Sequence, residues 1–441
     1  MKYIHYLLLN VKSQFNRFTG SGNTRSVFKN VGILASGSII SKVIGFGSYP
    51  IITRIYSPED FGIFAVFTSA IFIMHPFGTL TYSVTIPLPR NDELAINILT
   101  LGFIILTVVT GLISVVLIIG GNQLFSLFNA TEISNYWWLL VLGFIVASIF
   151  DLLVHWATRI KNFGIVAKSH ILQTVISVAT QIGFGLFGLK PIGLLLGEVM
   201  RKATGVIALS REFLTDFQNK LSHISVKRMI FVFQYYRDLP YFHLPSQLLS
   251  ILTLKIPLLF FAFQYGTATA GQLGLALIVV GIPMGLLGKT TANAYYAEIS
   301  KMGIKKKNEI LSLTISLAKR LAAISFIPTL VLLFFSPFLF KVVFGSEWIQ
   351  AGQFTSILAF YLFFEFLATP FMKIFNVFKA QRKYLEISTI RVSLISIVFI
   401  SVYVWNADVY HALIVYTIFM IMHFIYVMNR TYKIIKENTL H

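Results

Sequence analysis

The stretch Leu94–Ile119, LAINILTLGFIILTVVTGLISVVLII, contains no Asp, Glu, Lys or Arg. Wound as an α-helix at 1.5 Å per residue it is about 39 Å long. The hydrocarbon core of a bilayer is about 30 Å thick and takes about 20 apolar residues. A helix apolar on all its faces over such a length belongs in lipid.

The rest of the chain fits that reading. Of its 441 residues 56% are hydrophobic and only 12% charged, with mean hydropathy +0.77. A soluble domain carries roughly a quarter charged residues, so most of this surface faces lipid. There is no cysteine, which excludes disulfides, thiol catalysis and thiolate metal sites. A net charge of +19 would suggest nucleic acid for a soluble protein. In a membrane protein it marks cytoplasmic loops, and no nucleic-acid partner is expected.

Apolar runs place spans near 31–54, 61–88, 94–119, 136–157, 168–188 and 191–209. After the polar segment 210–240 they resume at 241–264, 271–293, 311–335, 352–376, 387–405 and 408–428. The run 61–88 is long for one span and should tilt or bend. Alternating sides from a cytoplasmic N-terminus leaves Arg54, Lys190 and Lys341 outside and Lys42, Lys255, Lys319 and Arg320 in mid-span. All other Lys and Arg fall on the cytoplasmic side, the asymmetry the positive-inside rule demands. The expected organisation is a cytoplasmic N-terminal segment 1–30, a six-helix bundle 31–209, a cytoplasmic linker 210–240, a second six-helix bundle 241–428 and a cytoplasmic tail 429–441. Within the first segment Ile4, Leu7, Leu8, Val11, Phe15 and Phe18 recur at helical spacing among Lys2, Lys12 and Arg17. That reads as an interfacial amphipathic helix, with a frayed tail as the alternative.

The linker falls near the middle, so a repeat is sought across it. Ile55-Tyr-Ser-Pro-Glu-Asp-Phe-Gly62 joins spans 1 and 2, and Gln264-Tyr-Gly-Thr-Ala-Thr-Ala-Gly271 joins spans 7 and 8. Tyr56 and Gly62 meet Tyr265 and Gly271 at one offset of 209. Arg159-Ile-Lys-Asn-Phe163 before span 5 is echoed by Gln381-Arg-Lys-Tyr384 before span 11. The fold expected is all-α: about twelve membrane helices in two pseudo-symmetric bundles, related by an axis along the membrane normal.

Arg54-Ile-Tyr-Ser-Pro-Glu-Asp-Phe-Gly62 resembles the R-x-[LY]-[ST]-P-E-[DE]-[FY]-G signature of Wzx-type polysaccharide flippases. These form the polysaccharide branch of the multidrug/oligosaccharidyl-lipid/polysaccharide exporter superfamily. Phe344-Gly-Ser-Glu-Trp-Ile-Gln-Ala-Gly352 resembles that family's F-G-x-x-W-x-x-A-G turn, and Thr158–Phe163 its basic loop. The resemblance runs from about Val27 to Arg430. It implies a V-shaped transporter that flips undecaprenyl-diphosphate-linked oligosaccharides, the repeat units of O-antigen, capsule or exopolysaccharide, in the bacterial inner membrane. Polysaccharide polymerase and chain-length machinery would be neighbours in such a pathway. Ser41-Lys-Val-Ile-Gly-Phe46 is also similar to the S-R-V-x-G-F stretch of lipid II flippases, where a cation lines the cavity. Lys42 keeps that charge but lacks the planar fork of Arg.

A charge at mid-membrane costs about 2.5–3.5 kcal/mol on insertion scales, so it faces water, substrate or a partner. Under the 209 offset Lys255 corresponds to Phe46, one helical turn from Lys42 on the same face. The two lysines are the expected cradle for a diphosphate; the alternative is structural pairing with Glu198, Glu365 or Asp151. Lys319 and Arg320 are further candidates, unless span 9 slides to 321–340 and leaves both snorkelling at its inner edge. Lys289 and Arg391 read as anchors near inner ends. Asp151, Glu198 and Glu365 could carry protons, as could His75 before Pro76; pairing or a hydrogen-bonded helix interface is the alternative. Pro76, Pro245, Pro257 and Pro283 should interrupt spans 2, 7 and 8.

The chain has no Walker loop, H-E-x-x-H or G-x-S-x-G motif, and neither an enzyme nor a cofactor is expected. A multidrug extruder of the same superfamily is the first alternative, though its cationic drugs would require an anionic cavity. A membrane polymerase or ligase is the second, although the longest outer loop is only about 16 residues. The charge asymmetry predicts that a cysteine placed at Asn308 reacts with an impermeant thiol reagent only from the cytoplasmic side of membrane vesicles. Labelling from outside would invert the topology.

Overall fold

The structure is a computed structural model that describes residues 23–218, 220–283, 288–378 and 380–437. The amphipathic segment Met1–Phe18 lies outside these residues. Six long helices precede the linker: α1 (Asn23–Ile55), α2 (Pro58–Met74), α3 (Asp92–Ser126), α4 (Trp137–Arg159), α5 (Phe163–Leu186) and α6 (Ile192–Gln218). A short amphipathic helix, α7 (Val226–Tyr235), leads into α8 (Leu244–Tyr265). Then follow α9 (Thr267–Pro283), α10 (Lys289–Met302), α11 (Lys307–Phe344), α12 (Ile349–Ala368), α13 (Gln381–Val404) and α14 (Val409–Glu437).

Nine helices among the described residues are long and apolar enough to cross a membrane. The three further spans expected are α1, α6 and the pair α9 and α10. Two fall short for physical reasons: α6 carries Glu198, Arg201 and Lys202, and α1 carries Lys42 among small polar residues; in the third, residues 284–287 between α9 and α10 lie outside the described residues. The second span does bend. Its helix stops at Met74, continues as a 3₁₀ turn at His75–Gly78, and turns again where Leu80 and Thr81 take left-handed φ of 47° and 63°. Pro76 supplies no N–H there, which ends the α-helical ladder. Pro257 sits inside α8, and Pro245 occupies its first turn, directly after the π-helical turn Leu239–His243 of the same span.

Packing repeats across the linker. In the first half α1 packs on α5, α5 on α6, α6 on α4, α4 on α3 and α2 on α4. In the second half α8 packs on α13, α13 on α14, α14 on α12, α12 on α11 and α9 on α12, the same pairs displaced by six spans. Two pseudo-equivalent tyrosines tie the first and fifth spans of each half. Tyr56 donates to the Gln181 carbonyl at 2.7 Å and Tyr265 to the Ala407 carbonyl at 2.7 Å. Tyr56 is seated by glycine: a Cβ at Gly193 would lie 2.1 Å from its hydroxyl and one at Gly185 2.8 Å from its ring. Of the two G-x-x-x-G spacings, Gly193…Gly197 is such a close approach, while Gly281 faces open space.

The halves meet where α2 crosses α9. A Cβ on Gly62 would lie 1.8 Å from the Thr267 carbonyl oxygen, and one on Gly271 1.8 Å from that of Pro58. Pro58 and Thr267 are themselves related by the 209 offset, so each half offers the same glycine to the same position of the other. That reciprocity is the mark of a two-fold contact.

Lys305, Lys306, Lys307, Arg382 and Lys383 mark a basic end of the molecule; the α2–α9 crossing lies at the opposite end. The first helices of the two halves show how the bundles diverge. In α1, Ile39, Ile40 and Val43 are exposed while Ile52 and, just beyond the helix, Tyr56 are buried; in α8, Ser250 and Leu254 are exposed while Phe261 and Ala262 are buried. Both helices are covered at the crossing and bare toward the basic end, so the two arms form a V closed at the crossing.

Gly62→Ala should lower the thermal stability of the detergent-solubilised protein by about 1–3 kcal/mol or more, because backbone cannot yield to an added methyl. Gly281→Ala, with room around it, should be neutral or stabilising by up to about 1 kcal/mol. Equal melting temperatures for the two variants would contradict the close crossing.

Candidate functional site

Both family-like motifs fold into the closed end. Ser57 caps α2 in a reciprocal box: its N–H donates to Asp60 Oδ2 at 2.8 Å, and the Asp60 N–H donates to its hydroxyl at 3.2 Å. Arg54 donates to the carbonyls of Val343 (2.8 Å) and Val342 (3.2 Å), which end α11 in the other half. Trp348 returns the contact, donating through Nε1 to the Thr53 carbonyl at 2.9 Å and meeting the Phe61 ring edge-on at 4.8 Å. Gly345, at φ 113°, allows the turn that presents Trp348. The two stretches, nearly 300 residues apart, are the halves of one clasp.

Below the clasp a cavity of about 600 Å³ lies between the halves. Lys42 of α1 and Lys255 of α8 both line it, with Thr68 of α2, Tyr361 of α12 and Tyr416 of α14. The Lys255 ammonium sits 4.5 Å from the centre of the Phe72 ring on α2, a cation–π contact across the two halves. α1 is fixed from behind, where the Ser41 hydroxyl meets that of Thr174 on α5 at 2.5 Å. The structure thus brings the two mid-span lysines to one cavity.

The acids are distributed differently. Glu365 lines the cavity and pairs with Arg391 of α13 at 3.4 Å, each side chain about a fifth exposed. Glu198 is buried inside the first half and paired with Arg201, whose Nε lies 2.8 Å from Oε2. Asp151 accepts from the Ser83 hydroxyl at 2.6 Å and lies 3.6 Å from His155 Nδ1. His75 is half-buried at the break of the second span. Asp151, Glu198 and His75 do not line the central cavity.

Lys319 and Arg320 are exposed on α11. Exposed apolar side chains on that helix run from Ile315 to Val343. The two cations fall within that stretch and do not line the central cavity.

The sequence suggests an anchor role for Arg391 near the inner end of its span, but in the structure it lines the cavity. α13 starts at Gln381, so Arg391 stands about 15 Å into the helix and reaches the cavity. An acid within span 10 demanded a cation nearby; that was the available signal. At the basic end Lys220 binds Asp216 at 2.6 Å and Asp92 at 3.1 Å, which fastens the linker to the first half. Partial burial works against the Lys220 charge, but the two carboxylates outweigh it and hold its pKa above the usual lysine value.

Replacing Arg391 by Leu should destabilise the protein by roughly 3 kcal/mol, the low edge for a half-removed buried pair. Adding Glu365→Gln to that variant should recover most of the loss in thermal unfolding. Failure of the second change to help would show that the pair is not energetically coupled.

A sequence profile described as polysaccharide biosynthesis protein matches residues 51–353. No curated protein matches the chain significantly. Among solved structures, the lipid II flippase MurJ in an inward closed conformation superposes with TM-score 0.69 at 13% identity, over 92% of this chain and 90% of its own. An inward-facing multidrug resistance MATE family transporter of the MOP superfamily gives TM-score 0.64 at 12% identity, over 92% and 96%. A Vibrio cholerae MATE transporter gives 0.57 at 13%, over 94% and 96%. At these identities the likeness is one of fold. The profile covers well over half of the chain: this multi-pass membrane protein belongs to the polysaccharide biosynthesis protein family and has the two-bundle fold of those flippases and exporters.

Proposed function

We propose that the protein is a flippase that carries undecaprenyl-diphosphate-linked oligosaccharides, the repeat units of a surface polysaccharide, across the bacterial inner membrane by alternating access. The observation that carries this reading is the shared cavity of Lys42 and Lys255. With Glu365 and Arg391 offsetting one another, the cavity has two cations in excess, the charge a diphosphate diester brings. In a low-dielectric site that attraction is far stronger than in water. A cationic drug would be repelled, which disfavours the multidrug reading.

In this reading the basic end and both termini are cytoplasmic, and the V is open to the substrate's side of synthesis. The diphosphate settles between Lys42 and Lys255, the glycan stays in the wet cavity and the polyprenyl chain remains in lipid. Outward opening parts the clasp, breaking the Arg54 and Trp348 contacts while the basic ends close. Energy comes from an ion gradient. Of the four titratable candidates, Glu365 is assigned the coupling role because it alone lines the cavity with the lysines; Asp151, Glu198 and His75 serve the first half's packing. Chain-length and polymerase machinery would receive the flipped unit.

Lys42→Ala and Lys255→Ala should each reduce glycan export in a flippase-null strain about tenfold or more, the loss of one charge-assisted contact, at unchanged protein level by immunoblot. Arg at either position should retain more activity than Ala, and Glu should be worst. Normal export by both alanine variants would assign the lysines a structural role.

A further inference from the structure

A second cavity, about 730 Å³, lies wholly within the second half and joins the central one through shared Thr253, Leu254, Thr369, Glu365 and Arg391. Its walls come from α8, α10, α12, α13, α14 and the turn after α12. They are hydroxyl- and amide-rich: Ser250, Asn293, Asn376 and Ser388. The size is that of pockets that enclose small organic ligands. Two buried polar groups in it lack a hydrogen-bond partner, Arg391 Nε and His423 Nδ1. His423 is only 3% exposed, so bulk water does not satisfy that nitrogen. Buried polar atoms left unpaired are rare and point to a missing partner. Lys373 stands at the side nearer the basic end, its ammonium 5.9 Å from the Tyr296 ring centre and paired with no carboxylate among the described residues.

The charge balance identifies the guest. Glu365 and Arg391 offset each other, and the lysines of the central cavity match the diphosphate, which leaves Lys373 as one cation in excess among the chamber's described lining. An amide and hydroxyl lining suits sugar hydroxyls. The unpaired Arg391 Nε–H needs an acceptor, which a sugar carboxylate supplies in charge-assisted form.

We infer that this chamber receives part of the glycan and is built for a sugar carrying one negative charge, a hexuronate, whose carboxylate lies between Lys373 and Arg391. The inference rests on the flippase reading. It makes the first half and the central cavity the binder of the invariant diphosphate, and the second-half chamber the reader of the glycan.

The test uses the full-length protein in nanodiscs and two synthetic polyprenyl-diphosphate disaccharides, one ending in glucuronic acid and one in glucose. The protein should bind the acidic lipid about tenfold more tightly, the effect of one charge-assisted contact. Lys373→Gln should abolish that preference while leaving affinity for the neutral lipid within about twofold, and Lys373→Arg should restore it. Equal binding of both lipids by the unaltered protein, or a preference that survives Lys373→Gln, overturns the glycan-reading chamber and leaves the flippase reading standing. If neither lipid binds, both readings fall.

Discussion

The contact on which the rest of this structure depends is the crossing of α2 and α9. Two helices cannot approach until backbone meets backbone unless the residues between them lack side chains, and in lipid that close approach is a main source of helix association. Gly62 and Gly271 each accept the other half's carbonyl at a place no Cβ could share. Because the two glycines and the two residues they face obey one offset, the crossing fixes both halves in a single register. That register is what carries Lys42 and Lys255, one turn apart in pseudo-equivalent helices, to the same cavity.

Conserving such a register needs more than two glycines, and the clasp supplies it. Arg54 and Trp348 reach across the halves in opposite directions and satisfy backbone carbonyls near helix ends, which have no partner of their own. The closed end also carries an apolar core that spans both halves, where Tyr56 and Phe61 pack with Leu275, Phe340, Phe344 and Trp348. The most recognisable residues of the sequence thus build the crossing and the clasp, while the residues that face the cavity sit in stretches with little signature.

The intramembrane charges illustrate a common rule in two ways. Glu198 and Glu365 each stand beside an arginine, so their desolvation is compensated within the protein. Lys42 and Lys255 line the cavity, and Lys255 rests on the face of Phe72. An aromatic face supports a cation without neutralising it, which leaves its charge available to a ligand.

By itself the sequence determined that the chain crosses the membrane about twelve times and that its halves repeat. Both follow from periodicity and composition: apolar runs of bilayer length, a one-sided distribution of Lys and Arg, and Tyr56–Gly62 repeated at Tyr265–Gly271. It also located the lysine pair, because a mid-span charge is visible as a violation of the local pattern. Only the tertiary structure decided which charges meet. Arg391 looked like an anchor because helix ends are blurred in sequence, and a shift of six residues moves a side chain from interface to interior. Lys319 and Arg320 lie on α11 and do not line the central cavity. The second-half chamber was not legible at all: its walls come from five helices and a turn, each contributing one to three ordinary polar residues. A cavity is a relation between distant segments, and no local spacing records it.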